Sequence, residues 1–133
     1  MSRPRYKWWS YVKWMIRLYP EREAELRRRQ AAAVTPNYSP MPGGSGPSRT
    51  TEELGTVSLG RVVDREMEAV RRAIEETERM VTGEIRLKII REVYWDKTHT
   101  LNGAFLDCHI SQRTGERWHA EFVHLVAKNF ELE

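Results

Sequence analysis

One cysteine, Cys108, among 133 residues leaves no partner for an intrachain disulfide, and a reducing cytoplasm is the home this implies. No stretch approaches the roughly 20 consecutive apolar residues that cross a bilayer, so no membrane partner is expected. The opening run MSRPRYKWWSYVKW alternates cations with aromatics and lacks the continuous apolar core of a secretory signal. Strand-like alternation and internal repeats are missing as well. So are a Gly-rich phosphate loop, an HExxH pair and any local nucleophile–base arrangement, which argues against an enzyme and against a bound cofactor. All four histidines (His99, His109, His119, His124) and Cys108 crowd into the last third, but their spacing does not make a zinc site. There is no Cys-x-x-Cys pair, and His119 and His124 lie five apart on different helical faces, so no metal is expected.

What is present is helical pattern and a mild excess of positive charge. Formal net charge is +3, with a pI near 9.2, which favours an anionic partner without specifying one. The fold class predicted is all-α, in three compositional regions. Residues 1–33 form a basic, aromatic arm. Tyr6, Trp8, Trp9, Val12, Met15, Ile16 and Tyr19 recur at helical spacing, Pro20 interrupts, and EREAELRRRQAAA resumes as a second short helix. Nine cations, from Arg3 to Arg29, face only Glu21, Glu23 and Glu25 here. The rings Trp8, Trp9, Tyr11 and Trp14 suit docking on protein better than base stacking. Arg27, Arg28 and Arg29 fit either a phosphate contact or a solvated helix end.

Residues 34–56 hold four of the six prolines and four of the eight glycines. They read as a linker, which would make the arm separable from the C-terminal region. Residues 57–133 are helical almost throughout. Val63, Met67, Val70, Ile74 and Val81 make a four-three seam broken by Thr77, suited to packing against the helix-turn-helix or, alternatively, to a homodimer zipper. In EIRLKIIREVYW, Ile85, Ile89 or Ile90, and Val93 are expected inward.

The segment TLNGAFLDCHISQRTGERW carries the functional argument. Thr100 is placed to cap a helix of about two turns, Ile110 to anchor a turn, and Ser111 to cap a long last helix. This is the order of a helix-turn-helix, at about residues 99–130, with an amphipathic helix before it. Gly115, Trp118, Phe122, Leu125 and Val126 fall on one buried stripe. Arg113, Glu116 and Ala120 point away, with Gln112 and Arg117 on the flanks. Arginine can bridge two acceptors on guanine and glutamine can pair with adenine, so Gln112, Arg113, Thr114, Glu116, Arg117 and Ala120 are the candidate DNA-reading set. Lys97, Thr98, His99 and Thr100 are candidates for phosphate contact before the first helix. Val123 and Ala127, taken as outward, and the aromatic arm are candidates for touching RNA polymerase. Three positions depart from the usual pattern: Phe105 where a small residue packs between the helices, His109 where the turn favours glycine, and Gly115 where an aliphatic is usual. Phe105 opposite Gly115 would be a compensating exchange of volume.

The stretch EIRLKIIREVYWDKTHTLNGAFLDCHISQRTGERWHAEFVHLVAKNFEL resembles the C-terminal half of RinA-type phage transcriptional activators. Tyr94-Trp95, Thr100-Leu101, the run Ser111, Arg113, Thr114, Arg117, Trp118, and the closing LVAK carry the likeness. The arm, running through YP into an arginine-rich helix, is similar to the N-terminal half of the same family. The resemblance implies a sigma-factor region 4-like helix-turn-helix, double-stranded DNA as partner, and activation of late phage genes in a bacterial cytoplasm. Two alternatives stay open: a packaging protein of small-terminase type, and a module that uses the same helix pair to bind another protein.

Overall fold

The computed structural model describes residues 6–34 and 57–132; all of the Pro/Gly-rich window after Val34 therefore lies outside the described residues, as do Arg3 and Arg5. Among the described residues five α-helices run in the order α1 (Trp9–Val34), α2 (Arg61–Glu78), α3 (Gly83–Ile90), α4 (Leu101–Asp107) and α5 (Gln112–Asn129). A π-helical turn, Arg91–Trp95, extends α3. No strand occurs among the described residues, so the fold is all-α. No helix among the described residues is long and apolar enough to cross a membrane.

The main core lies where α1, α2 and α5 meet, closed by Leu87, Ile90 and Tyr94 from α3 and the π turn. The four-three seam of α2 delivers Met67 and Val70 into it, and Ala69 and Ala73 widen the buried face. The seam ends sooner than its spacing suggests. Helix α2 stops at Glu78, and Val81 is fully exposed beyond it. Thr77, the apparent break, is buried because its hydroxyl donates to the Ala73 carbonyl at 2.8 Å, satisfying the polar atom within the helix. Ile85 is likewise exposed rather than inward, whereas Ile89 and Ile90 are both buried.

Composition separates the arm from the rest, but the core does not. Val12, Met15, Ile16 and Tyr19 of α1 are buried in the same cluster as Met67, Val70, Phe122 and Val126. Nor does Pro20 divide the arm in two, because α1 is one continuous 26-residue helix with the proline inside it. Proline lacks the N–H that would bond the Ile16 carbonyl one turn back. The indole Nε1 of Trp95 donates to that carbonyl at 2.8 Å, and the Trp95 ring lies beside Tyr19. A side chain 79 residues away thus fills the bond that proline leaves empty, and it ties the π turn to α1.

Glu66 joins α1 to α2 by charge. Its carboxylate, 3% exposed, accepts from the Tyr11 hydroxyl and from Arg22 Nη1 at 2.6 Å. Burying a carboxylate is costly unless it is paired and hydrogen-bonded, and here both conditions are met from one partner helix.

Candidate functional site

The candidate site is assembled by α4, the turn after it, and the start of α5. Thr100 caps α4, its hydroxyl accepting from the Gly103 amide at 3.0 Å, and Ser111 caps α5, accepting from the Thr114 amide at 3.1 Å. Each cap satisfies an amide that the helix start would otherwise leave open. Between them α4 closes in a Schellman arrangement. The Ile110 amide donates to the Phe105 carbonyl, and the His109 amide donates to that of Leu106, both at 3.1 Å. This geometry requires a left-handed residue, and His109 takes it at φ 59°. The turn is therefore built without glycine, at a cost of about 1 kcal/mol.

Phe105 and Gly115 hold the two helices together. Phe105 is 2% exposed and forms a second small core with Ile89 and Ala104, edged by Leu101, Ile110 and Trp118. A Cβ on Gly115 would lie 2.4 Å from the Phe105 ring, so the aromatic face sits directly on the glycine backbone. The exchange of volume read from the sequence is present in the packing.

That packing leaves the opening turns of α5 facing outward. Gln112, Arg113, Glu116 and Arg117 are exposed, and Thr114 is half-buried under the cap. Gln112 donates to Glu116 at 3.1 Å, which pre-orders the pair without burying it. Arg113 forms no ion pair or side-chain hydrogen bond among the described residues. Arg117 approaches Glu121 only at 3.8 Å, and Glu121 is already engaged by Arg86 at 2.7 Å. Arg86 also holds its guanidinium over Trp118, 4.9 Å from the ring centroid, so Trp118 serves packing. An exposed pair of this kind contributes little, so Arg117 can leave Glu121 at small cost.

The other candidates sit elsewhere. Ala120, two turns on and half-buried, lines a shallow groove with Met80 and Leu125. Lys97, Thr98, His99 and Thr100 lie before α4, at its far end from Ser111, with Lys97 left-handed at φ 57°. Lys97, Thr98 and Thr100 are exposed. The His99 imidazole instead turns toward Glu92 at 3.6 Å and meets the Thr98 hydroxyl at 2.9 Å. Arg27 and Arg28 pair with Glu23 and Glu25, and Arg29 with Glu25 at 3.1 Å, all on the exposed side of α1 more than a turn before its end at Val34.

No protein-family model, curated protein or solved structure matches the chain.

Two expected surface positions are corrected by the packing of α5. Val123 and Ala127 are completely buried, not outward, because α1 and α2 together cover more of α5 than one apolar stripe. They cannot touch a partner. The aromatic arm is also largely engaged within the chain: Trp8 and Trp9 pack around His124, and Tyr11 meets Phe130 edge-on.

His119, weighed in the sequence only as a metal ligand or a surface or groove-edge histidine, is instead buried at 8% exposure and shares a 2.7 Å hydrogen bond with the Tyr94 hydroxyl. Burial first, and then the charge of Lys13, bring its imidazole down to about 4. The unfolded chain then takes up this proton before the folded one does. Stability from a neutral His119 is complete above the free histidine value of roughly 6.5 and is lost as pH falls through the window down to about 4. The loss expected is on the order of 3 kcal/mol. Melting temperatures measured from pH 8 to pH 4 should decline more shallowly for His119→Gln than for the wild type; parallel curves would assign the acid sensitivity to other groups.

Proposed function

We propose that this chain is a sequence-specific, double-stranded DNA-binding regulator in which α4 and α5 act as a helix-turn-helix. In this reading it activates late phage genes, as its resemblance to RinA-type activators implies. The observation that carries the proposal is the exposed start of α5, where a Ser111-capped helix presents Gln112, Arg113, Glu116 and Arg117 beyond a tight turn. Arg113 and Arg117 have the forked geometry to bridge acceptors on guanine, and Gln112 can serve adenine once it leaves Glu116. Open amides at the helix start favour an adjacent phosphate. Lys97, Thr98 and Thr100 stand one α4 length away, about 10 Å, and supply further backbone contacts. Contact with RNA polymerase, which an activator needs, falls to the exposed aromatics of the arm, Tyr6 and Trp14, since Val123 and Ala127 are buried.

The test is binding to DNA fragments from upstream of neighbouring late genes across a salt series, with Arg113→Ala alongside. One fragment should be preferred, with log affinity falling steeply against log salt. Arg113→Ala should weaken binding to that fragment by roughly 10- to 100-fold and flatten the preference. Equal weak binding to every fragment would overturn groove reading in favour of a packaging role. No binding at all would leave the protein-binding alternative.

A further inference from the structure

At the edge of the helix pair, sharing α4 with it, Glu92, His99 and Asp107 bring three potential ligand atoms within 4.8 Å of one another. They come from three different places: the π turn, the loop before α4, and the end of α4. We propose that these residues form a binding site for a single divalent transition-metal ion of the zinc class, which clips α4 to the π turn.

The local backbone builds the site. Inserting one residue into the helical ladder makes the π turn, closed by the Asp96 amide on the Arg91 carbonyl at 2.7 Å, and such turns recur at functional sites. The left-handed Lys97 then reverses the chain. The Glu92 carbonyl accepts from the Thr98 and His99 amides at 2.9 and 3.3 Å, which returns the His99 ring to the Glu92 side chain. His99 Nδ1 stands 3.6 Å from Glu92 Oε1 and 2.9 Å from the Thr98 hydroxyl.

The observation that calls for a ligand is Glu92 itself. The residue is 9% exposed, and its Oε1 is buried with no hydrogen-bond partner. A carboxylate oxygen in that position costs stability unless a cation or a donor meets it. Its surroundings offer the His99 imidazole at 3.6 Å, beyond hydrogen-bond reach, and a carboxylate, Asp107, which gives no stable relief while both are charged. A dication would neutralise both carboxylates together. The mixed set of one imidazole and two carboxylates suits zinc-class ions, whereas magnesium prefers oxygen alone and keeps its waters. Asp107 is half-exposed, so solvent can complete the coordination. Lys88 Nζ, 3.4 Å from Asp107 on an exposed stem, competes for that carboxylate and can swing away at little cost.

Cysteine and histidine spacing gives no hint of this set. The two carboxylates lie 15 positions apart and meet only through the fold.

The test uses the full chain, stripped with a chelator and titrated with zinc chloride or magnesium chloride by calorimetry, with melting curves in parallel. One equivalent of zinc should bind, magnesium should not bind comparably, and zinc at about a hundredfold excess over Kd should raise Tm by roughly 5–10 °C. His99→Ala and Asp107→Asn should each weaken zinc binding at least about tenfold. Glu92→Gln separates ligation from folding. Without metal it should melt no lower than the wild type, since an amide can donate to Asp107, yet it should gain nothing from zinc. Equal zinc gains in wild type and Glu92→Gln, unchanged binding in His99→Ala, or no uptake by the wild type would each overturn the site. DNA binding measured on the stripped protein is a separate readout, so either proposal can fail alone.

Discussion

A fragment comprising residues 57–133 should not melt cooperatively, although composition marks it as a self-contained domain. Removing α1 takes Val12, Met15, Ile16 and Tyr19 out of the core and uncovers Met67, Val70 and Val126. At roughly 1.5–3 kcal/mol for each fully buried large side chain, the four residues of α1 alone account for about 6–12 kcal/mol. Total stability for a domain is typically about 5–15 kcal/mol, so the loss is comparable to everything the fold has. The Glu66 carboxylate would also lose Tyr11 and Arg22, and Trp95 would lose the Ile16 carbonyl. The fragment should keep part of its helical circular dichroism, bind a hydrophobic dye, and lack a sharp thermal transition. A synthetic peptide covering residues 6–34, added in excess, should restore the transition. A sharp, cooperative melt of the fragment by itself would make α1 an appendage and the compositional boundary a true domain boundary.

The contrast shows which features a sequence carries locally. The caps at Thr100 and Ser111 were legible because a cap depends on one side chain and an amide three residues on. The seam of α2 was legible at Met67 and Val70 because a helix repeats its own geometry. Val81 and Ile85 were misread locally, where a helix ended or turned, but the larger misreadings involve a partner far along the chain. Pro20 looks like a break until Trp95 supplies the missing donor. Val123 and Ala127 look outward because helical periodicity assumes one covered face, and α5 is covered on more than one. The same rule applies at the candidate sites. The exposed start of α5 follows from local spacing and could be anticipated, whereas the meeting of Glu92, His99 and Asp107 is tertiary and could not.

Gly115→Ala should reverse its sign depending on what stands at position 105. In a solvent-facing helix this substitution stabilises by about 1 kcal/mol, because alanine loses less backbone freedom on folding than glycine. Here the new methyl would meet three atoms of the Phe105 ring at 2.4–2.5 Å, closer than carbon atoms approach. Phe105 is fully buried and boxed in by Ile89, Ala104 and Trp118, so the ring has no open space to move into. Overpacking of this sort costs roughly 1–3 kcal/mol, which outweighs the helical gain. Phe105→Ala by itself should cost about 3–5 kcal/mol through the cavity it leaves. In that background, however, Gly115→Ala meets no ring, recovers its helical advantage, and fills part of the void. The double variant should therefore be more stable than Phe105→Ala, while the single Gly115→Ala is less stable than the wild type. Urea unfolding of the four proteins measures this directly, and additive effects of the two substitutions would mean that the ring does not rest on the glycine. The cycle also bears on recognition, because this contact sets how α5 leaves the turn. If Gly115→Ala tilts α5 rather than unfolding it, specific DNA binding should fall with Arg113 untouched, and the double variant, though less stable than the wild type, should regain it.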